Sequence, residues 1–364
     1  MRYPDFLKNN GRIGFIAPSF GCATEPYKSD FEESLERFRS MGYETVLGPN
    51  CFCDEGIGIS NTPEKCAAEA NDFFTDDKCD VIISCGGGEL MCETLPFVDF
   101  EKIASVSPKW FMGYSDNTNY TFLLNTLTDT ASIYSVCASK FTNSHHRCVD
   151  DAFDVLCGRR SSVSNYDSWF REIYGDRCTD QEDDTDDTAK DSSIGVYVNE
   201  KTGDTFDIYK YKQLLYNGKA AVDSVKVSGR LVGGCMDCLV NLVGTSFDKV
   251  ADFANRYKDD GIIWFLESCD LSVMAVRRAL WQMENAGWFQ NVKGFLIGRP
   301  LRFDDKFGDF GQHDAVLGIL GKYNVPILMD LDIGHQFPQM PVISGACADI
   351  TAQGNSLNIE FKLK

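Results

Sequence analysis

Histidine is scarce in this chain: 364 residues carry four, His145, His146, His313 and His335. Close cysteine pairs are also few. They are Cys51–Phe52–Cys53 and Cys235–Met236–Asp237–Cys238, and neither has a second pair or histidines at ligand spacing. No metal site is therefore expected from local motifs. Positive charge is in deficit, with 35 Lys and Arg against 54 Asp and Glu and a net charge of −19. That balance argues against nucleic acid or an anionic membrane as partner. Long apolar runs are missing too, since nothing approaches the about 20 residues of a membrane helix. Met1–Arg2–Tyr3–Pro4 leads through polar residues to Ile13–Ala17, which is too short for the apolar core of an export signal. A cytoplasmic protein is expected. Neither G-x-G-x-x-G nor G-x-x-x-x-G-K-[ST] occurs, so the usual phosphate loops are absent and no cofactor is expected.

What is present is an apolar fraction of 43%, spread in short blocks. The 15 cysteines are odd in number and sit mostly inside apolar runs (Cys85, Cys137, Cys157, Cys269), which reads as reduced thiols. The length exceeds a typical single core, so two domains are expected.

Along the chain, Arg12–Ala17, Tyr43–Leu47, Asp80–Ser84 and Trp110–Gly113 read as buried strands. Between them Lys28–Met41 carries Phe31, Leu35 and Phe38 at helical spacing, and Thr62–Pro63 opens a helix through Phe74. Helices are expected from about Glu89 and over Asn117–Leu127. This alternation implies a mostly parallel, helix-covered sheet over residues 1–158. Residues 159–224 read as a linker, with the acidic stretch 179–193 as an exposed loop. Residues 225–364 form a smaller, mixed α/β domain. Its strands are Val225–Leu231, Gly261–Leu266, Val292–Ile297, Val325–Met329 and Ser356–Phe361. Helices follow at Met236–Val243 and after Asp270.

In such sheets the working residues lie at the carboxyl ends of strands. Three polar groups stand there. Ser115 follows Trp110–Gly113 in Gly113–Tyr114–Ser115–Asp116, a strand–turn–helix that holds a serine out from the backbone. Glu267 follows Ile262–Leu266, and His335 follows Gly334. Serine chemistry needs a base for the hydroxyl proton and an acid to orient that base. Cys85–Gly86–Gly87–Gly88, at another strand end, suits an oxyanion hole, because glycines let backbone N–H groups approach a developing negative charge. His145–His146 lies in a polar loop and is a poor base.

These blocks resemble the LD-carboxypeptidase family of serine peptidases, which includes muramoyl-tetrapeptide carboxypeptidases and microcin C self-immunity peptidases. The resemblance runs nearly end to end through Ile13–Gly21, Thr62–Asp80, Gly86–Gly87 with Leu95–Asp99, Phe111–Thr118, Leu231–Thr245, Phe265–Glu267, Gly294–Arg299 and Pro326–His335. It implies a triad of Ser115, Glu267 and His335, with oxyanion donors from the N–H groups of Gly87 and Asp116. It also implies an active site at the junction of the two domains, commonly in a homodimer. Cys235 stands where the family often has Asn, and Ser268 where it usually has Asp. The arginine common in the glycine loop of the murein enzymes is missing, and Pro96–Phe100 is closer to the microcin-immunity branch.

The resulting expectation is a serine carboxypeptidase or amidase acting on a murein peptide or a peptidyl aminoacyl-nucleotide. Arg299 and Arg302, just after a strand, are the candidates for a substrate carboxylate. Two rivals remain. One is a non-catalytic binder of small peptides on the same scaffold, and the other is thiol chemistry through Cys235 and Cys238.

Overall fold

The structure is a computed structural model that describes residues 1–172, 193–198 and 203–364. The strands of the first half are β1 (Arg12–Ile16), β2 (Glu44–Leu47), β3 (Val81–Ser84), β4 (Trp110–Gly113) and β5 (Ser132–Tyr134). Next come β6 (Ser162–Ser164), β7 (Ser168–Glu172), β8 (Ser193–Val198), β9 (Thr205–Lys210), β10 (Leu214–Asn217) and β11 (Ala220–Ala221). The second half holds β12 (Ser224–Cys235), β13 (Ile262–Glu267), β14 (Val292–Gly298), β15 (Pro326–Leu331), β16 (Val342–Ser344), β17 (Cys347–Gln353) and β18 (Ser356–Lys362).

The first sheet has the order β16-β5-β4-β3-β1-β2. β1 to β5 are mutually parallel, as the alternation with helices predicts. The inner strands β3, β4 and β5 are buried throughout and mostly apolar, as expected of a parallel sheet covered by helices on both faces. On one side helix Tyr27–Ser40 packs Phe31 and Phe38 against Phe15, with ring centroids 5.6 Å apart in both pairs. The strand order reverses at β1/β3, where doubly wound sheets open a crevice at their carboxyl ends.

The second sheet has the order β11-β10-β15-β14-β13-β12-β17-β18-β6. Its four central strands, β12 to β15, are parallel. Segment 159–224, expected as a linker, supplies β6, β10 and β11 to this sheet and β7, β8 and β9 to a small third sheet. These strands are two to six residues long and most mix apolar with polar residues, so no long apolar run announces them. The acidic stretch 179–193 lies, but for Ser193, outside the described residues. The helix expected from about Glu89 is instead a 3₁₀ segment, Met91–Phe97, and a short helix, Phe100–Ser105. Pro96 breaks the continuous α-helix, since it lacks an N–H and its ring crowds the preceding turn. Asp99 then caps the second piece by accepting the Lys102 N–H at 2.9 Å. No helix among the described residues is long and apolar enough to cross a membrane.

Two features lock the halves together. β16, from the second half, closes the first sheet antiparallel to β5. Helix Thr118–Thr128, which follows Ser115, is buried almost all round. That is the pattern of a helix inside a core, not on its surface. Its Phe122 stacks on Trp288 at 5.4 Å and meets Trp264 at 6.1 Å, both from the second half.

Three buried carboxylates make stability depend on pH. Burial pushes Glu69 up to about 7, against the two backbone N–H groups (Ala17 and Asn50, 2.8 Å each) that its oxygens accept. Burial likewise raises Asp116 and Asp332 to about 6. Each binds its proton more tightly folded than unfolded. The stability that this supplies is complete below the unfolded carboxyl range and is lost as pH rises through the folded values. For Glu69 alone the loss between about pH 4.5 and 7 is on the order of 3 kcal/mol, at roughly 1.4 kcal/mol per pH unit. Urea midpoints are expected to be higher at pH 5 than at pH 8. A midpoint that rises over that interval would contradict this.

Candidate active site

The apolar strand β4 ends at Gly113, and the chain turns sharply through Tyr114 into Ser115. Ser115 has φ +64°, left-handed backbone that a residue with a Cβ enters at a cost. The turn is held by side chains. Asn117 donates from Nδ2 to the carbonyls of Gly86 (2.8 Å) and Tyr114 (3.0 Å), which ties the serine turn to the glycine loop. The buried carboxylate of Asp116 accepts Ser19 Oγ–H (2.6 Å) and Met91 N–H (2.9 Å) at Oδ2. The second half contributes the Cys235 N–H, which donates to Thr118 Oγ1 at 3.0 Å.

Glu267 is the last residue of β13 and is fully buried. His335 follows the turn after β15. Gly334 there has φ +105°, and a Cβ on it would lie 2.4 Å from Glu267 Oε2, so only glycine fits beside the carboxylate. The three predicted side chains form one hydrogen-bonded line. His335 Nδ1 lies 2.8 Å from Glu267 Oε2, and His335 Nε2 lies 2.9 Å from Ser115 Oγ. Burial alone would lower the His335 pKa. The Glu267 charge and hydrogen bonds to Cys269 and Glu267 outweigh it and hold the imidazole well above its usual value. Glu267 moves the other way: burial opposes its charge, yet His335, Tyr134 and Cys235 keep it below the ordinary carboxyl range.

Gly87 faces the serine directly. A Cβ on it would lie 3.2 Å from Ser115 Cβ and 3.3 Å from Oγ. Its carbonyl accepts the Phe20 N–H at 2.8 Å, which fixes the peptide plane of the loop. The N–H groups of Gly87 and Asp116 therefore lie on the two chain segments that flank the Ser115 side chain.

The arginines lie elsewhere. Arg299 is buried, 1% exposed, and is not available to a substrate carboxylate. It pairs with Asp332 at 3.1 Å, donates to the Asp330 carbonyl at 2.8 Å and lies over the Trp169 ring at 4.4 Å. A strand end borders the core as well as the cleft, and a buried arginine needs the acid two strands' ends can bring it. Arg302 is exposed, pairs with Asp305 at 3.6 Å and donates to the Asp270 carbonyl. Arg299→Leu would leave Asp332 buried without its cation. It is expected to cost about 3 kcal/mol in urea unfolding at pH 7.5. A cost below about 1 kcal/mol would show that the pair is not structural.

Sequence reasoning missed Tyr134. Its hydroxyl accepts the Ser115 N–H at 3.2 Å and donates to Glu267 Oε1, so one buried phenol ties the serine backbone to the acid. Burial, then the Glu267 charge, raises its pKa well above the usual value and keeps that donor proton in place. It ends a three-residue strand, too short to stand out. His145 and His146 do lie apart from this cluster: His145 meets Asp150 at 2.8 Å, and His146 caps helix Arg147–Leu156.

A serine, a histidine and a carboxylate in line, placed where two α/β sheets meet, is the arrangement found in serine hydrolases. The chain belongs to the LD-carboxypeptidase family. The model of the LD-carboxypeptidase N-terminal domain matches residues 13–135, and that of the C-terminal domain matches residues 228–350. Among curated relatives, a Vibrio cholerae protein named as a carboxypeptidase is 24% identical over 99% of this chain and 98% of its own. The microcin C7 self-immunity protein MccF of Escherichia coli is 23% identical over 95% and 92%. Among solved structures, an MccF-like protein of Bacillus anthracis superposes with a TM-score of 0.75 at 18% identity, covering 100% of both chains. MccF in complex with glutamyl sulfamoyl guanosine gives 0.73 at 20% identity, covering 99% and 98%. The two-domain mixed α/β fold is thus shared with these proteins.

Proposed function

We propose that this chain is a serine hydrolase that cleaves an amide bond through an acyl-enzyme on Ser115. The observation that carries the reading is the line from Glu267 Oε2 through both nitrogens of His335 to Ser115 Oγ, at 2.8 and 2.9 Å. In this reading His335 Nε2 takes the hydroxyl proton as Oγ attacks the carbonyl carbon. Glu267 holds the Nδ1–H and so fixes the tautomer that leaves Nε2 free to accept. The oxyanion is received by the N–H groups of Gly87 and Asp116. His335 then gives its proton to the leaving amine, and water repeats the sequence on the acyl-enzyme.

The substrate class is a short peptide, in the first place a murein peptide ending in D-Ala after an L-centre. A second reading, a peptidyl aminoacyl-nucleotide, draws support from Arg299. Its burial removes the best-placed cation for a free carboxylate. A solved neighbour also holds glutamyl sulfamoyl guanosine. A cytoplasmic homodimer completes the reading. The test offers purified protein a murein tetrapeptide and a peptidyl-sulfamoyl-adenylate side by side, with products identified by mass spectrometry. Loss of the terminal residue supports the first substrate, and release of the aminoacyl-nucleotide part supports the second. No product from either, at high enzyme and long incubation, counts against hydrolysis and for a binding protein.

A further inference from the structure

We propose that Cys235, Glu267 and His335 form an inhibitory site for a soft divalent transition-metal ion of the zinc class. One donor atom from each residue lies within 4.8 Å of the other two. The fold brings them together without a sequence motif. Cys235 ends β12 directly opposite Glu267 at the end of β13, so in parallel register both side chains leave the same face. His335 arrives from the turn after β15, with Nδ1 2.8 Å from Glu267. Local ligand spacing cannot reveal such a set, because its members come from three separate strand ends.

Donor chemistry and charge both suit the ion. Thiolate, imidazole and carboxylate are the ligands zinc takes, and three protein ligands leave a fourth position open. Cys235 and Glu267 are 1% and 0% exposed, so an unbalanced charge there would be costly. A divalent cation cancels the thiolate and the carboxylate, while the imidazole binds neutral. The thiol proton, and the second imidazole proton where it is carried, pass to water. The cluster thus ends uncharged. One supporting contact is in place: the Tyr134 hydroxyl donates to the other Glu267 oxygen. The Cys235 S–H donates to Asp237 Oδ2 at 3.3 Å, a contact that the bound thiolate gives up. Of the three side chains His335 is the most exposed, at 11%, and its Nε2 faces the half-buried Ser115. A bound ion would occupy the base and its orienting acid together. The inhibition therefore rests on the hydrolase reading, whereas the binding does not.

The test titrates the reduced full chain with Co²⁺ and reads the charge-transfer absorption of a cobalt–thiolate bond. One equivalent is expected to give the band in the wild type and in Ser115→Ala, and Cys235→Ala is expected to lose it. Wild-type crystals soaked in Zn²⁺ provide a measurement that does not depend on a variant folding. An anomalous peak is expected among the three donors. In an active preparation, one equivalent of Zn²⁺ is expected to abolish turnover, and a chelator to restore it. An undiminished band in folded Cys235→Ala, or no anomalous peak at the three donors, overturns the site. Full activity with one equivalent bound there overturns its inhibitory role. The cobalt and diffraction readouts need no turnover, so they decide the site even in a chain that hydrolyses nothing.

Discussion

Ser115→Ala is expected to lower kcat by at least about 10⁴-fold while leaving the fold intact, because removing the nucleophile of a triad costs about as much as removing the whole triad. The change deletes one hydroxyl and its 2.9 Å hydrogen bond to His335, an interaction worth about 1 kcal/mol. The buried helix behind the serine, with Phe122 against Trp264 and Trp288, is untouched. Ser115→Gly sharpens the test. The serine sits at φ +64°, which glycine adopts without a Cβ clash. The glycine variant is therefore expected to be as inactive as the alanine one, yet more stable by about 1 kcal/mol. Activity on the substrate identified by mass spectrometry and urea unfolding are the two measurements. If Ser115→Ala keeps its turnover and thiol alkylation abolishes it, the chemistry moves to Cys235 and Cys238. A glycine variant no more stable than alanine would mean that the backbone at the turn carries no strain.

The strands that position the site were legible because each is a run of apolar residues buried on both faces, and the polar residue ending such a run stands out. That logic found Ser115, Glu267 and His335 and was silent on what aligns them. Tyr134 is one aromatic among many until the fold places its hydroxyl between the Ser115 N–H and Glu267. Strand β16 is three residues long, and its partner β5 lies in the other half of the chain. No local pattern can encode that pairing. Arg299 shows the opposite failure. The strand-end rule pointed at it, but the end of β14 borders the core as well as the cleft, and Asp332 claims its guanidinium. Burial decides between those outcomes, and burial is a property of packing, not of position along a strand.

Glu267→Gln is expected to lower kcat by about 10³–10⁴-fold and to change the shape of the pH profile. The carboxylate accepts from Tyr134 at one oxygen and faces His335 Nδ1 with the other. A glutamine fills the same volume but offers one acceptor and one donor. If its N–H₂ faces His335, Nδ1 must accept, the proton moves to Nε2, and Nε2 can no longer take the Ser115 proton. If it faces Tyr134 instead, two donors meet and the phenol must turn from the acid. The first orientation loses the imidazole tautomer and the second loses the Tyr134 contact, so neither keeps the whole line. The charge has a separate signature. In the proposed mechanism His335 accepts the serine proton only when neutral, and beside Glu267 its pKa is held well above 6.5. In the wild type kcat/KM should therefore climb with pH through a midpoint on the alkaline side of 6.5, since that ratio reports the free enzyme. Without the carboxylate charge, burial, which favours the neutral imidazole, has no opponent of the same strength. The midpoint of the residual activity should move to lower pH. Profiles of kcat/KM against pH for both proteins check this. A variant that keeps the wild-type midpoint would mean that the Glu267 charge does not set the base, and the hydrogen bond to Cys269 would take its place as the cause.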